Sequence, residues 1–274
     1  VSSNSANKHA ATSAIDAALA RAWCDGCFRG DAAALRELAA AHPRHPRAVE
    51  LGALATLASL LEGEGALIAE VAPAAPGERA VVRCLVHAAA AWHAAAHLQL
   101  PAATDQLDAL DRALADARAD GLAPPLATAQ AFADLAIGEC ARIGGDRAIW
   151  RRRLVRLTAA PAPGGLRLAV RYRLALDLAG PHELPRAVRR LDEAIRLAEW
   201  WQRPRDAQYA RRLAGMLAFV GGDLPGARQR LQSIVDAAGS AAADPTPFDR
   251  LLLAWTKEPG DAMAEFAEGV RLAA

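Results

Sequence analysis

Lysine is almost missing from this chain. Lys8 and Lys257 are the only two, and arginine carries nearly all of the positive charge. That skew reads as a bias of nucleotide composition and carries no functional inference. Aromatic residues make up only 5% and β-branched runs are short, which argues against a sheet protein, because strands draw on those residues. The four cysteines are scattered apart from Cys24 and Cys27, so the chain is not a secreted disulfide framework. The most apolar stretch, Cys84 to Leu100, is alanine-rich and interrupted by His87, His93 and His97, which makes it a poor membrane span. Val1 to Thr12 is polar and lacks the apolar core of a signal peptide. Residues 1–12 are expected to form a disordered tail, and the expected location is cytoplasmic. There is no phosphate-binding glycine loop, no GxSxG and no convincing Ser-His-Asp set. No cofactor is expected, and an enzyme is not the leading reading.

What is present points to helices. Hydrophobic content is 53%, much of it alanine, the strongest helix former. The clearest unit is Pro204 to Gly239. Gly222-Asp223 is a stop followed by a start: glycine ends a helix cheaply in the left-handed conformation, Asp223 can cap the next helix, and Pro225 suits its first turn. Leu213, Leu217 and Val220 lie before that turn at spacings of four and three, and Leu224, Ala227, Leu231, Ile234 and Val235 continue the pattern after it. Two amphipathic helices joined by so short a link fold back antiparallel.

Gly215, Gly222, Ala227 and Leu231 fall seven, five and four residues apart. That spacing resembles the tetratricopeptide repeat, in which small residues let paired helices approach closely. The chain departs from the family's pattern where Arg211 replaces a Trp, Ala218 a large aromatic and Gly239 a Pro. Gly138, Ala141 and Gly145-Asp146 repeat the spacing of Gly215, Ala218 and Gly222-Asp223. Read in order, the expected hairpins pair 13–29 with 32–41, 47–61 with 65–71, 79–99 with 102–119 turning at Pro101, and a fourth pair about Gly145-Asp146. The fifth pairs 166–178 with 184–201, turns at Gly180-Pro181, and carries Ala187, Leu191 and Ala194 at the family's spacing. The sixth is the Pro204 unit, and the seventh turns at Pro259-Gly260-Asp261. The expected fold is therefore all-α, a right-handed superhelix of about seven antiparallel helix pairs over residues 13–274, each packed only on its neighbours.

Charge divides this domain. Residues 1–140 hold 10 basic and 16 acidic residues, and residues 141–274 hold 22 and 15, giving an acidic half (13–140) and a basic half (141–274). Arginine is dense at Arg151, Arg152, Arg153, Arg186, Arg189, Arg190, Arg203, Arg205, Arg211 and Arg212. One reading makes these solvated faces paired with nearby carboxylates. The other uses the resemblance: in tetratricopeptide arrays the first helix of each pair lines a concave groove that often holds extended peptides or acidic chain ends. That implies a peptide-binding row of Arg142, Tyr172, Arg173, Tyr209, Arg212, Met216 and Arg250, whose Arg forks suit carboxylates.

Other patterns are weaker. His93 and His97 share a helix face without a third ligand. Cys24-Cys27 has no second CxxC and no strand context. Asp105, Asp108 and Asp111 resemble the magnesium motif of terpene synthases, but its aromatic neighbours and second metal motif are missing. The leading expectation is a non-enzymatic scaffold that binds a protein or peptide segment, acidic ones included, and no membrane. The Ala- and Arg-rich style also resembles the superhelical sensor arms of large bacterial transcription regulators, which suggests a signalling role. The first alternative is nucleic-acid binding, as HEAT-like proteins can do, through region 142–230, with 19 basic and 8 acidic residues. The second is an all-α small-molecule sensor or enzyme that uses the His93/His97 helix.

Overall fold

The structure, a computed structural model, describes residues 2–63, 72–74, 77–120, 123–159, 162–180, 182–237, 245–257 and 259–273. These residues form thirteen α-helices and no strand. None of the helices is long and apolar enough to cross a membrane. The expected helix over 65–71 and the turn residue Pro181 lie outside the described residues. The chain divides into two compact units, Val1–Ala169 and Val170–Ala274. The boundary falls inside a helix and not at the charge boundary near residue 140.

The first unit contains α1 (Ser2–Asp25), α2 (Asp31–Ala41), α3 (Ala48–Glu62), α4 (Ala80–Ala96), α5 (Leu100–Ala119), α6 (Ala123–Ile143), α7 (Arg147–Ala159) and the start of α8 (Gly164–Asp177). α1 is continuous from Ser2, where a tail to residue 12 was expected, and it stops at Gly26, whose φ is +74°. Its buried residues Ile15, Ala18, Leu19 and Ala22 follow the three–four spacing of one helix face. Helices α3 and α4 are buried on nearly every side, the mark of central core helices. Glu62 at the end of α3 accepts hydrogen bonds from the N–H groups of Gly30 and Ala32 (3.0 and 3.2 Å) and so satisfies the start of α2. Two contacts go beyond neighbour-on-neighbour stacking. α1 packs against α6 as well as α3, with the Thr128 hydroxyl donating to the Trp23 carbonyl at 2.6 Å. The Cys27 loop also lies against Gly165 at the start of α8.

In the second unit α9 (Leu184–Trp200), α10 (Pro204–Val220), α11 (Leu224–Asp236), α12 (Pro247–Trp255) and α13 (Pro259–Ala273) each pack on the next. This sequential stacking is compatible with a helical repeat. Two hairpins are geometrically equivalent. At Gly145 and Gly222 the φ angles are +93° and +81°. The following Asp N–H donates five residues back, Asp146 to the Ala141 carbonyl and Asp223 to the Ala218 carbonyl (2.7 and 2.9 Å), the six-to-one bond of a Schellman turn. Asp146 and Asp223 then cap the next helix through the N–H groups of Ile149 and Gly226. A Cβ on Gly138 would stand 3.8 Å from the Trp150 carbonyl, and one on Gly215 3.7 Å from the Ala227 carbonyl, both twelve residues on.

Two expected turns shift. Between α4 and α5 the turn residue is Leu98 (φ +60°), and Pro101 belongs to the first turn of α5. Between α12 and α13, Pro259 begins a helix that contains Gly260 and Asp261, so this Gly-Asp pair is not a copy of the turns at 145 and 222.

Candidate interaction surface

The seven residues expected to line a groove are placed as follows. Arg142 lies in the first unit, and its Nε donates to the buried Glu139 carboxylate at 2.9 Å. The other six lie in the second unit. Tyr172 is buried on α8. Its hydroxyl donates to the Asp206 carbonyl oxygen on α10 (3.1 Å) and lies 3.2 Å from the Asp206 carboxylate. Its ring meets Tyr209 edge-on at 5.1 Å. Arg173 and Tyr209 are half-buried and also engaged. Met216 packs against the cluster of Leu231, Ile234, Leu252 and Leu253.

Arg212 makes a two-pronged contact with Asp249 on α12, Nε to Oδ1 at 2.5 Å and Nη2 to Oδ2 at 2.6 Å. That carboxylate is fully buried and also closes the capping box of α12, accepting from the Thr246 N–H and hydroxyl at 2.8 Å each. Arg250 donates to Glu265 on α13 at 2.9 Å. The polar ends of Tyr172, Arg212 and Arg250 each tie one helix to a later one: α8 to α10, α10 to α12, α12 to α13.

Several arginines of the wider set, and Arg156, also meet carboxylates, within one helix and its cap or on the preceding helix. Arg153 and Arg156 share Asp134, Arg186 meets Glu183, Arg190 meets Glu193, and Arg211 meets Glu199. Counted by compact unit, residues 1–169 hold 17 basic and 17 acidic residues, and residues 170–274 hold 15 and 14. The charge asymmetry along the chain thus leaves each unit close to neutral, because α7, with five arginines and no acid, belongs to the acidic half's unit.

The remaining chemical patterns are also placed. The His93 and His97 rings lie 4.5 Å apart, and Asp105, Asp108 and Asp111 are all exposed on α5. Among the described residues no group of three or more His, Cys, Asp or Glu side chains is arranged to hold a metal ion. Cys24 is exposed and Cys27 buried. Burial first, then Asp31 and Glu62, push the Cys27 thiol well above its ordinary range, which makes Cys27 a poor nucleophile.

A second surface was not evident from sequence. A pocket of about 670 Å³ lies between the first half of α11 and the end of α12, lined by Leu224, Arg228, Gln229, Trp255 and Lys257 among others. Trp255 is 69% exposed and Leu224 44%. Trp255 sits 6.2 Å from the Phe219 ring, and Val220 stands exposed at the end of α10. The only signal in the sequence was that Trp255 falls off the Leu252–Leu253 face of its short helix. Comparison with known protein families finds no matching family model, and comparisons with curated proteins and with solved structures find no significant match.

Proposed function

We propose that the chain is a non-enzymatic interaction module and that its second unit, a tetratricopeptide-like stack of hairpins, recognises a protein segment. The observation that supports this reading is a pair of large apolar side chains, Leu224 and Trp255, that line an open pocket and stand exposed, with Val220 exposed at the end of α10. Clustered apolar exposure with a polar rim is a common mark of protein contact. In this reading Tyr172, Arg212 and Arg250 hold the helices that frame the pocket, and the contact residues are on α11 and α12. The test is selection of peptides from a random display library on the immobilised chain, followed by competition with a Trp255→Ala/Leu224→Ser variant. Peptides retained by the parent and lost by the variant support the proposal. Failure to enrich any peptide, or equal retention by both, refutes it.

The nucleic-acid reading keeps one specific observation, the five arginines of α7 without an acidic residue. It requires binding of an RNA or DNA oligonucleotide that weakens steeply with salt and with Arg152→Glu/Arg156→Glu.

A further inference from the structure

We infer that the pocket between α11 and α12 takes an acidic peptide segment, one that presents carboxylates beside an apolar side chain. The inference rests on the interaction reading above and names the chemistry of its partner. Among the described residues its lining contains two cations, Arg228 and Lys257, and two amides, Gln229 and Gln232, and no carboxylate. Arg228 donates through Nε and Nη2 to a backbone carbonyl, that of Thr256. A carbonyl fixes the guanidinium without neutralising it, so its full charge stays at the pocket wall. Lys257 contacts Glu265 at 3.2 Å, and Glu265 also accepts from Arg250. Lys257 therefore shares its carboxylate with a second cation.

Two carboxylates of α11 and its N-cap are engaged: Asp223 with the Gly226 N–H and Asp236 with the Gln232 amide. Trp255 and Leu224 supply the apolar wall on which a leucine or phenylalanine of the segment can rest. A fixed Arg fork matches a carboxylate geometrically, and the Gln229 amide can meet an extended backbone. Two cations beside an indole and a leucine make a small, mixed site. A nucleic acid would call for a longer basic track.

The test uses the full chain and two fluorescein-labelled peptides, one alternating Glu with Leu and one with Gln in place of each Glu, read by fluorescence anisotropy. Arg228→Ala would also remove the tie to Thr256, so the charge is changed at exposed Gln229, whose side chain makes no hydrogen bond among the described residues. The acidic probe is expected to bind more tightly than its Gln counterpart and to weaken as salt rises from ~0.05 to ~0.5 M. Gln229→Glu should weaken it by about fivefold and Gln229→Lys strengthen it by about threefold, while Trp255→Ser weakens both probes. Indifference to the charge at 229, or equal binding of both probes, overturns the acidic partner. If both probes bind equally and Trp255→Ser releases both, protein-segment binding stands while the acidic chemistry falls. Self-association of the chain abolished by Trp255→Ser in sedimentation would also overturn it, making a second copy the occupant. So would competition by an RNA oligonucleotide that is itself insensitive to Trp255→Ser.

Discussion

Gly165→Ala should unfold the first unit more easily, although alanine is the better helix former. A Cβ at this position would lie 2.3 Å from the Cys27 carbonyl oxygen, 2.7 Å from its carbonyl carbon and 3.1 Å from its nitrogen. These are backbone atoms and cannot rotate aside. An ordinary carbon–oxygen contact is about 3.3 Å or more, so the loop and the first turn of α8 must part by about 1 Å. A gap of that size forfeits about a quarter to a half of each dispersion contact across it. The atoms that lose contact are well buried: Cys27, Phe28, Ala162 and Leu166 all lie within 6% exposure. Overpacking of this kind costs about 1–3 kcal/mol, and the gain from replacing glycine in a helix, at most about 1 kcal/mol, is reduced in a first turn. The net expectation is a loss of about 2 kcal/mol.

Gly52→Ala is the control. The same chemical change in the middle of α3 meets no atom within 4 Å and should stabilise by about 0.5–1 kcal/mol. Urea unfolding followed by tryptophan fluorescence would show opposite shifts of midpoint at unchanged slope. Gly165→Ala should also bring the Cys27 thiol within reach of thiol reagents. An upward shift for Gly165→Ala, or a shift equal to that of Gly52→Ala, would refute the reasoning.

Asp249→Asn removes the partner of Arg212 and half of the α12 capping box, and should cost about 2–3 kcal/mol in urea unfolding. The loss should shrink when Arg212→Met is already present, as a double-mutant cycle would show. Burial pulls the Glu50 carboxyl upward, but hydrogen bonds from Arg47 and Trp23 and the charges of Arg47 and Arg79 outweigh it and hold the group below its ordinary 4.5. Its contribution is therefore complete above pH 4.5 and is lost as pH falls through the lowered folded value. The stability gap between the parent and Glu50→Gln should be widest near neutrality and close in acid, in urea titrations across that range. For the cysteines, burial raises the Cys84 thiol to about 11 and the Cys140 thiol to about 12, and Cys27 is buried as well. A disulfide exchange reagent at pH 8 should modify Cys24 rapidly in the native chain and all four cysteines in urea.

Helix type and the two Gly-Asp turns were legible because they are local. Glycine in the left-handed region followed by an aspartate cap is a complete stop-and-start signal, and it is realised at 145 and 222. The small–large–small spacing of Ala187, Leu191 and Ala194 was likewise legible, and all three are fully buried. The errors share a cause. Pro101 and Pro259 were read as turn residues, whereas both stand in the first turn of a helix, where a missing N–H costs nothing. The chain makes the same Schellman bond without glycine at two other helix ends, where Leu98 (φ +60°) and Gln202 (φ +55°) take the left-handed position and Gln99 and Arg203 donate to Ala94 and Ala198. No local preference marks those positions. Nor can periodicity show that α1 packs on α6, a pairing across more than 100 residues sealed by Thr128 and Trp23.

The candidate site follows the same division. The three–four spacing shows which helix face carries Tyr172, Arg212 and Arg250, but their carboxylate and carbonyl partners lie 34, 37 and 15 residues away. An arginine on an inner helix face can receive a ligand's carboxylate or a neighbouring repeat's, and in sequence the two look alike. Here Asp206, Asp249 and Glu265 are the partners, so Tyr172, Arg212 and Arg250 each tie one helix to a later one. In the proposed reading recognition falls to side chains whose burial is incomplete, and Leu224 and Trp255 line a pocket together with a cation fixed by a carbonyl. Arg228 differs from Arg212 in that one respect: Arg212 is matched by a buried negative charge, while Arg228 is oriented by a neutral oxygen and, in the proposed reading, offers its charge to the segment that docks on Trp255.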